Sequence, residues 1–495
     1  MDAVKKFLAG KKGVYAVEAV FILILMCVVP VLFDYHFAMN DDVLIDSIVS
    51  GRYSGTPDLH NVSMGAPLNA LLCGLNSITS YVPWFALLLL FCQFGCLYLI
   101  FSLLAERMEM GQRWTYLCLF LLNILSFGLL IRETVMVQYT FTAALLMASG
   151  TICLYYMDGE NFFTGRGILR YGGILLQYLL AFCMREEIFL FLLPLSFLMC
   201  LVRFYRENGF HFVRKELGRW GIVWGGIVFG TAVMYFMNTA AYTGEGWRQY
   251  KEVDACRTTL YDFLELPAYD ENREFYESAG ITKAQYDLLD TYNYSLDEEI
   301  TADTMQKIVD YTNEKRLSGS EGLDRLYLQM FTLPLGEGLW SYGHRVLYIP
   351  ALSGEDRPWG EEYPWNIICI FLYLAFFILT CRSRRWMNLL FMTGMFGVRS
   401  VLWMYIILKQ RTPARVTHSL FAMEMACLLL LIFEELWYLR SIGKPKRCEW
   451  KKGIFKAAGG VLILGACFLT AAAWGSFREE YAVTTAQNRE WYELQ

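Results

Sequence analysis

Asn40-Asp41-Asp42 are the residues of this chain best suited to chemistry: an amide and two carboxylates in succession, a few residues beyond a long apolar run. Ionised carboxylates act as general bases. They also supply oxygen ligands to a divalent cation, the one cofactor the sequence leaves open. Their plainer use is local, because Asn and Asp are favoured helix N-caps. A helix start keeps a carboxylate ionised, so the two uses are compatible. Wound as a helix, the following residues put Leu44, Ile45 and Ile48 on one face and Asp42, Asp46 and Ser50 on the other.

Downstream, Arg52, Asp58 and His60 stand among the turn-forming Gly51, Gly55 and Pro57. They read either as contacts to a sugar or phosphate or as solvated loop residues. A second group of cations lies near or within apolar stretches. Arg399 sits mid-way along one of them, where roughly 2.5–3.5 kcal/mol opposes its insertion. It therefore calls for a wet cavity or an acidic partner such as Glu424 or Glu18. Arg132-Glu133 and Arg185-Glu186-Glu187 fall at segment ends, where snorkelling and local pairing compete with a binding role. Arg411, Arg415 and His418 would share a face if a helix starts near Pro413. Guanidinium groups bind phosphate through paired hydrogen bonds, so that cluster suits a substrate phosphate or a lipid headgroup. Metal chemistry finds little else: the five histidines are scattered, and neither HExxH nor CxxC occurs. No Gly-x-Ser-x-Gly elbow or glycine-rich phosphate loop occurs either.

The elements that must carry these residues follow from composition. The 495 residues are 56% hydrophobic and 18% charged, more apolar than soluble domains at about 45–50%. The apolar residues gather in runs of bilayer length. Eleven segments are expected, near 14–33, 82–105, 115–131, 139–157, 172–184, 188–202, 219–241, 364–381, 387–408, 419–439 and 453–474. The fold class is an all-α polytopic membrane protein. With the N-terminus cytoplasmic, the inner segments hold 22 Lys and Arg and the short outer ones 8, which supports N-in and C-out. Segments 172–184 and 188–202 are short for upright spans, so they read as a re-entrant pair or as one broken helix.

Three portions result: a membrane module over 1–241 with a first outer loop at 34–81, an outer insertion at 242–363, and a second module at 364–495. The insertion is acidic, with 24 Asp and Glu against 11 Lys and Arg, and is expected to be mainly helical, with helices over 282–292 and 303–315. The stretch 327–352 is apolar enough to lie on the membrane or to dip into it. A helix lying along the interface is expected over 66–79. Among the fourteen cysteines only Cys73 and Cys256 fall in outer loops, where they are candidates for a bridge. Sequons at Asn61 and Asn293 lie outside too. The formal charge of −5 without a basic stripe excludes nucleic acid as a partner.

Taken together, the acidic Asn40-Asp41-Asp42 just after the first helix, the outer loop with a surface helix, and about eleven N-in, C-out spans resemble the GT-C class of integral membrane glycosyltransferases, including the protein mannosyltransferase and arabinosyltransferase types. The resemblance implies a polyprenyl-phosphate sugar as donor, and a glycan, lipid or protein of the cell envelope as acceptor. It implies chemistry on the extracytoplasmic face of the cell membrane. Asp41 or Asp42 would act as base in an inverting transfer. Arg411, Arg415, Arg399, His418 and Arg132 would hold the lipid phosphate, with Asn40, Arg52, Asp58, His60, Arg185 and Glu186 around the substrate. The chain departs from the class in its Asp-Asp, where Asp-Glu is frequent, and in carrying its large outer segment mid-chain.

Two other readings remain. A surface-polysaccharide polymerase or ligase would rely on His344, Arg345 and Arg415 instead of the first-loop acids. A transporter or lipid flippase would place polar groups at mid-depth on broken helices and show repeated halves. No internal repeat is present.

Overall fold

The computed structural model describes residues 11–107, 112–157, 162–209, 211, 213–348, 362–442, 465 and 467–487. These residues are overwhelmingly helical, and nine of their helices are long and apolar enough to cross a membrane. The protein is therefore an all-α, multi-pass membrane protein. The chain divides into two compact units.

The first unit comprises Met1–Met237, His344–Val401 and Pro413–Gln495. Its long helices are α1 (Lys11–Leu32), α4 (Trp84–Arg107), α5 (Gln112–Val135), α7 (Gly165–Met184), α8 (Glu186–Asn208), α9 (Arg214–Ala241), α16 (Trp365–Ser383), α17 (Met387–Leu408, to Val401) and α18 (Ala414–Ser441). At its centre stands α6 (Tyr139–Tyr155), short at 17 residues and buried along almost its whole length. Small residues explain this position. Thr140, Thr142, Ala143, Ala144, Ala148, Ser149 and Gly150 let α4, α7, α8 and α18 approach from several sides. A side chain at Gly150 would meet the Tyr178 ring at 3.1 Å. The hydroxyl of Thr151 donates to Met147 O and lies 3.2 Å from Tyr178 Oη, which satisfies polar atoms in a dry core.

The segments expected at 172–184 and 188–202 are two full helices of 20 and 23 residues, α7 and α8, separated by Arg185 alone. They fold back on one another, since Tyr178 Oη reaches Ser196 Oγ at 3.3 Å. Polar ends hid their length: Arg166 and Arg170 open α7, and Arg203 and Arg206 close α8. The apolar segment expected at 453–474 lies partly outside the described residues, and helix α19 continues over 467–487. The far ends of four helices meet in a charged knot. Arg206 on α8 donates to Tyr155 on α6, to Asn388 on α17 and to Glu434 and Glu435 on α18, and Arg385 adds a second cation to Glu435.

The segment after α1 begins with a two-residue strand, β1 (His36–Phe37), paired in parallel with β2 (Met136–Val137), so that His36 faces Met136 and Phe37 faces Val137. Helix α2 (Asn40–Val49) follows β1, and α6 follows β2. Next comes α3 (Ala66–Ile78), matching the expected surface helix. Two buried amides hold the turn between α2 and α3. Asn61 Oδ1 accepts from the Ser63 and Met64 amides, and Asn69 Nδ2 donates to Leu59 O and Met64 O. Asn61 is thus structural and inaccessible, which removes it as a glycosylation acceptor in the folded chain.

The second unit comprises Asn238–Gly343 and Leu402–Thr412. It contains α10 (Glu245–Thr258), a π-helical turn (Thr259–Phe263), α11 (Arg273–Ala279), α12 (Lys283–Asp290), α13 (Ala302–Leu317), α14 (Gly322–Met330) and the start of α15 (Leu335–Leu347). The helices expected over 282–292 and 303–315 are α12 and α13. Thr282 caps α12 in a reciprocal capping box with Gln285. Leu260, Tyr276, Leu289, Met305 and Ile308 form a closed core, with Phe275 and Tyr311 stacked at 3.8 Å beside it. Cys256 and Cys73 are both free thiols, and Cys256 lies 3.2 Å from Gln306 Oε1, so the suggested bridge is absent.

Candidate active site

The β1–β2 pair brings the starts of α2 and α6 together. Gln138 caps α6 by accepting from the Phe141 amide, which leaves the Tyr139 amide free of a helix partner. Asp42 supplies one: its Oδ1 accepts from Tyr139 N at 3.0 Å. The carboxylate is fully buried, and its Oδ2 has no hydrogen-bond partner among the described residues. Burial pushes the Asp42 carboxyl up to about 7; neighbouring Asp41 adds to this, while the Tyr139 amide and the Arg415 guanidinium oppose it. A half-satisfied buried carboxylate titrating near neutrality is the expected condition of a general base.

The start of α2 differs from expectation. The helix starts at Asn40 with Met39 as N-cap, and no side chain caps it, so neither Asn40 nor Asp41 performs that role. Asn40 and Asp41 are exposed. Asp42, Ile45, Asp46 and Val49 are buried, whereas Val43 and Leu44 face outward. The acidic face therefore turns inward. Asp46 is matched there by Arg52, which folds back over it.

Tyr139 also offers its phenol, which accepts from Arg185 Nη1 at 2.9 Å, and the guanidinium lies over its ring. Arg185 bridges onward to Glu187 at 3.0 Å, and Glu186 is exposed at the start of α8. The first loop closes against the same corner. Gly65 N donates to Cys183 O at 2.7 Å, and a side chain at Gly65 would meet that backbone at 3.3 Å. Gly51 turns the loop with φ +80°, where a Cβ would strike Pro57 N. Asp58 and His60 pair with each other at 2.6 Å. Burial raises the Asp58 carboxyl, but its contacts with His60 outweigh this and hold it below the usual carboxylate range.

Helix α18 brings the cations. It begins at Ala414, next to the expected start, and carries Arg415 and His418 one turn apart. Arg415 lies within electrostatic reach of Asp42 and Tyr139 and has no ion-pair partner among the described residues. His418 is buried: its Nδ1 meets Glu133 Oε1 at 2.5 Å and its ring stacks on Trp365 at 4.7 Å. Arg132 grips both oxygens of Glu480 on α19 at 2.7 and 2.8 Å, and its Nη1 also reaches Glu133 Oε1 at 3.4 Å.

Two further expected phosphate ligands have their charge matched elsewhere. Arg399 is buried with its Nε 2.8 Å from Glu424 Oε1, the partner anticipated from its depth. Arg411 belongs to the second unit, where it lies 3.1 Å from Asp262 and over the Phe263 ring of the π-helical turn. Arg345 is paired with Glu362. Among the described residues no three His, Cys, Asp or Glu side chains gather as a metal site.

Glu133, Tyr139 and Trp365 were not singled out as site residues. Glu133 carried the only available signal, a carboxylate at the end of an apolar run beside Arg132. Tyr139 contributes mainly its backbone amide, which no residue-type pattern reports. No known protein family, curated protein or solved structure matches the chain.

Proposed function

We propose that the protein is a glycosyltransferase that moves a sugar from a polyprenyl-phosphate donor to an acceptor of the cell envelope on the extracytoplasmic face, with the N-terminus cytoplasmic and the C-terminus outside. The carrying observation is Asp42: buried, raised toward neutrality, with one oxygen held by Tyr139 N and the other unpartnered. In this reading Oδ2 accepts the proton of the acceptor hydroxyl as that oxygen bonds to the anomeric carbon. The bond from that carbon to the phosphate oxygen breaks on the opposite face, its electron pair leaves with the polyprenyl phosphate, and the configuration inverts. Arg415, the cation of α18 without an ion-pair partner, stabilises the charge growing on the leaving phosphate. Tyr139 and Arg185 order the wall beside it. Arg399, matched by Glu424, contributes to holding α18, which carries Arg415; Arg132 and Arg411 have their charge matched by Glu480 and Asp262. A role for Asn40, Asp41 or Glu186 would be at the exposed rim, where acceptors differ.

The deciding experiment offers the purified protein in lipid nanodiscs a panel of radiolabelled polyprenyl-phosphate sugars. Sugar transfer or slow donor hydrolysis that disappears in Asp42→Asn supports the reading. Full activity in Asp42→Asn, or substrate flux without any covalent product, removes it.

A further inference from the structure

We propose that the elbow formed by α14 and the start of α15 is a lipid-docking surface, lying in the interfacial layer of the leaflet at the Leu408 end of α17. Helix α14 has nine residues and buries none of them. Leu323, Leu326 and Met330 recur at intervals of three and four and make one continuous apolar face, while Asp324, Arg325 and Gln329 take the opposite side. Leu323 is 83% exposed, in a helix too short to persist in water on propensity alone. No described residue covers that face. On α15, Leu335 and Leu339 are exposed in the same manner, Trp340 is more than half exposed beside them, and Glu337 points away.

The occupant follows from the tether. Thr332 and Leu333, which join the two helices, donate their amides to Leu408 O at 2.9 and 3.1 Å, and the Thr332 hydroxyl adds a third bond at 3.1 Å. Gly338 packs so closely on the Leu408 side chain that a Cβ there would strike it. Leu408 is the last residue of α17, one of the helices long enough to cross the bilayer. The elbow is thus bonded to the point where an apolar span ends, which is the depth of the interfacial layer. Amphipathic helices at that depth sink their apolar face about 5–10 Å toward the acyl chains, and Trp and Tyr favour the same layer, as Trp340 and Tyr327 would here. A lipid surface covers a narrow convex stripe without a complementary groove, whereas a second protein copy would need one.

The test uses the full-length protein in nanodiscs of phosphatidylcholine and phosphatidylglycerol, with a benzophenone amino acid placed singly at Leu326, at Leu323, or at the exposed control Glu274. Irradiation is expected to add the mass of one phospholipid at 326 and 323 and none at 274. Protein–protein dimers at 326 and 323, or no lipid adduct at either site in protein that still elutes as a folded monomer, overturns the proposal. Because both positions are exposed, the substitutions leave the packed core untouched.

Discussion

Asp42 and Tyr139, 97 residues apart, are joined by a carboxylate-to-amide hydrogen bond of 3.0 Å. The bond satisfies an amide at the start of the most buried helix in the bundle, and it fixes one oxygen of the most buried acid in the first loop. The other oxygen is left for chemistry. Structural and functional readings of this acid therefore make different predictions for its two oxygens.

Replacing Asp42 by Asn keeps the Oδ1 acceptor for Tyr139 N and removes the base. Transfer should fall by about 10²- to 10⁴-fold, with a melting temperature at neutral pH no lower than that of the unaltered protein. Asp41→Asn, at an exposed position, should change transfer less than about tenfold. Initial rates and thermal melts of both variants, in the same detergent, make the comparison.

Activity should rise with pH through about 7, as the Asp42 carboxyl loses its proton. Stability should run the opposite way. The folded state holds the proton up to about 7, the unfolded chain only to about 4, so the folded state binds more protons between those values and stability falls as pH rises across them. Asp42→Asn should flatten that part of the stability profile. A variant profile that still falls by the full amount would assign the slope to another group.

Arg415→Ala should lower turnover of the lipid-linked donor by about 10- to 10³-fold, with Arg415→Lys recovering part of it. Arg411→Ala should leave turnover within a few-fold and act through the second unit, where Asp262 loses its cation. Equal losses in the two alanine variants would count against assigning the leaving phosphate to Arg415.

The Arg399–Glu424 pair lies wholly out of solvent at 2.8 Å. Glu424→Gln leaves the guanidinium buried without its counter-charge, and breaking such a pair costs about 3–5 kcal/mol. Arg399→Met combined with Glu424→Met should recover most of that loss. Unfolding of the two variants and the unaltered protein in mild detergent reads out both steps.

The helices were legible because apolar runs of bilayer length leave few alternatives, and the depth of Arg399 called for an acidic partner or a wet cavity without choosing between Glu424 and Glu18. The lengths of α7 and α8 were not legible, since Arg166, Arg170, Arg203 and Arg206 place charge inside helices whose ends lie beyond the apolar core. Which face of α2 is buried was not legible either: Ile45 of its apolar face and Asp42 and Asp46 of its acidic face are all buried, while Val43 and Leu44 are exposed. Asp42 was visible as a residue type, but its half-satisfied state depends on a backbone amide from a distant segment, and no pattern in a sequence reports that.

The two-residue parallel pair has one more consequence. Since it clamps the backbone just before Asp42 to the backbone just before α6, the position of the acid is inherited from the bundle and not from the loop that follows. A change confined to the exposed Tyr53 and Ser54 of that loop should therefore leave the acid where the strand pair sets it.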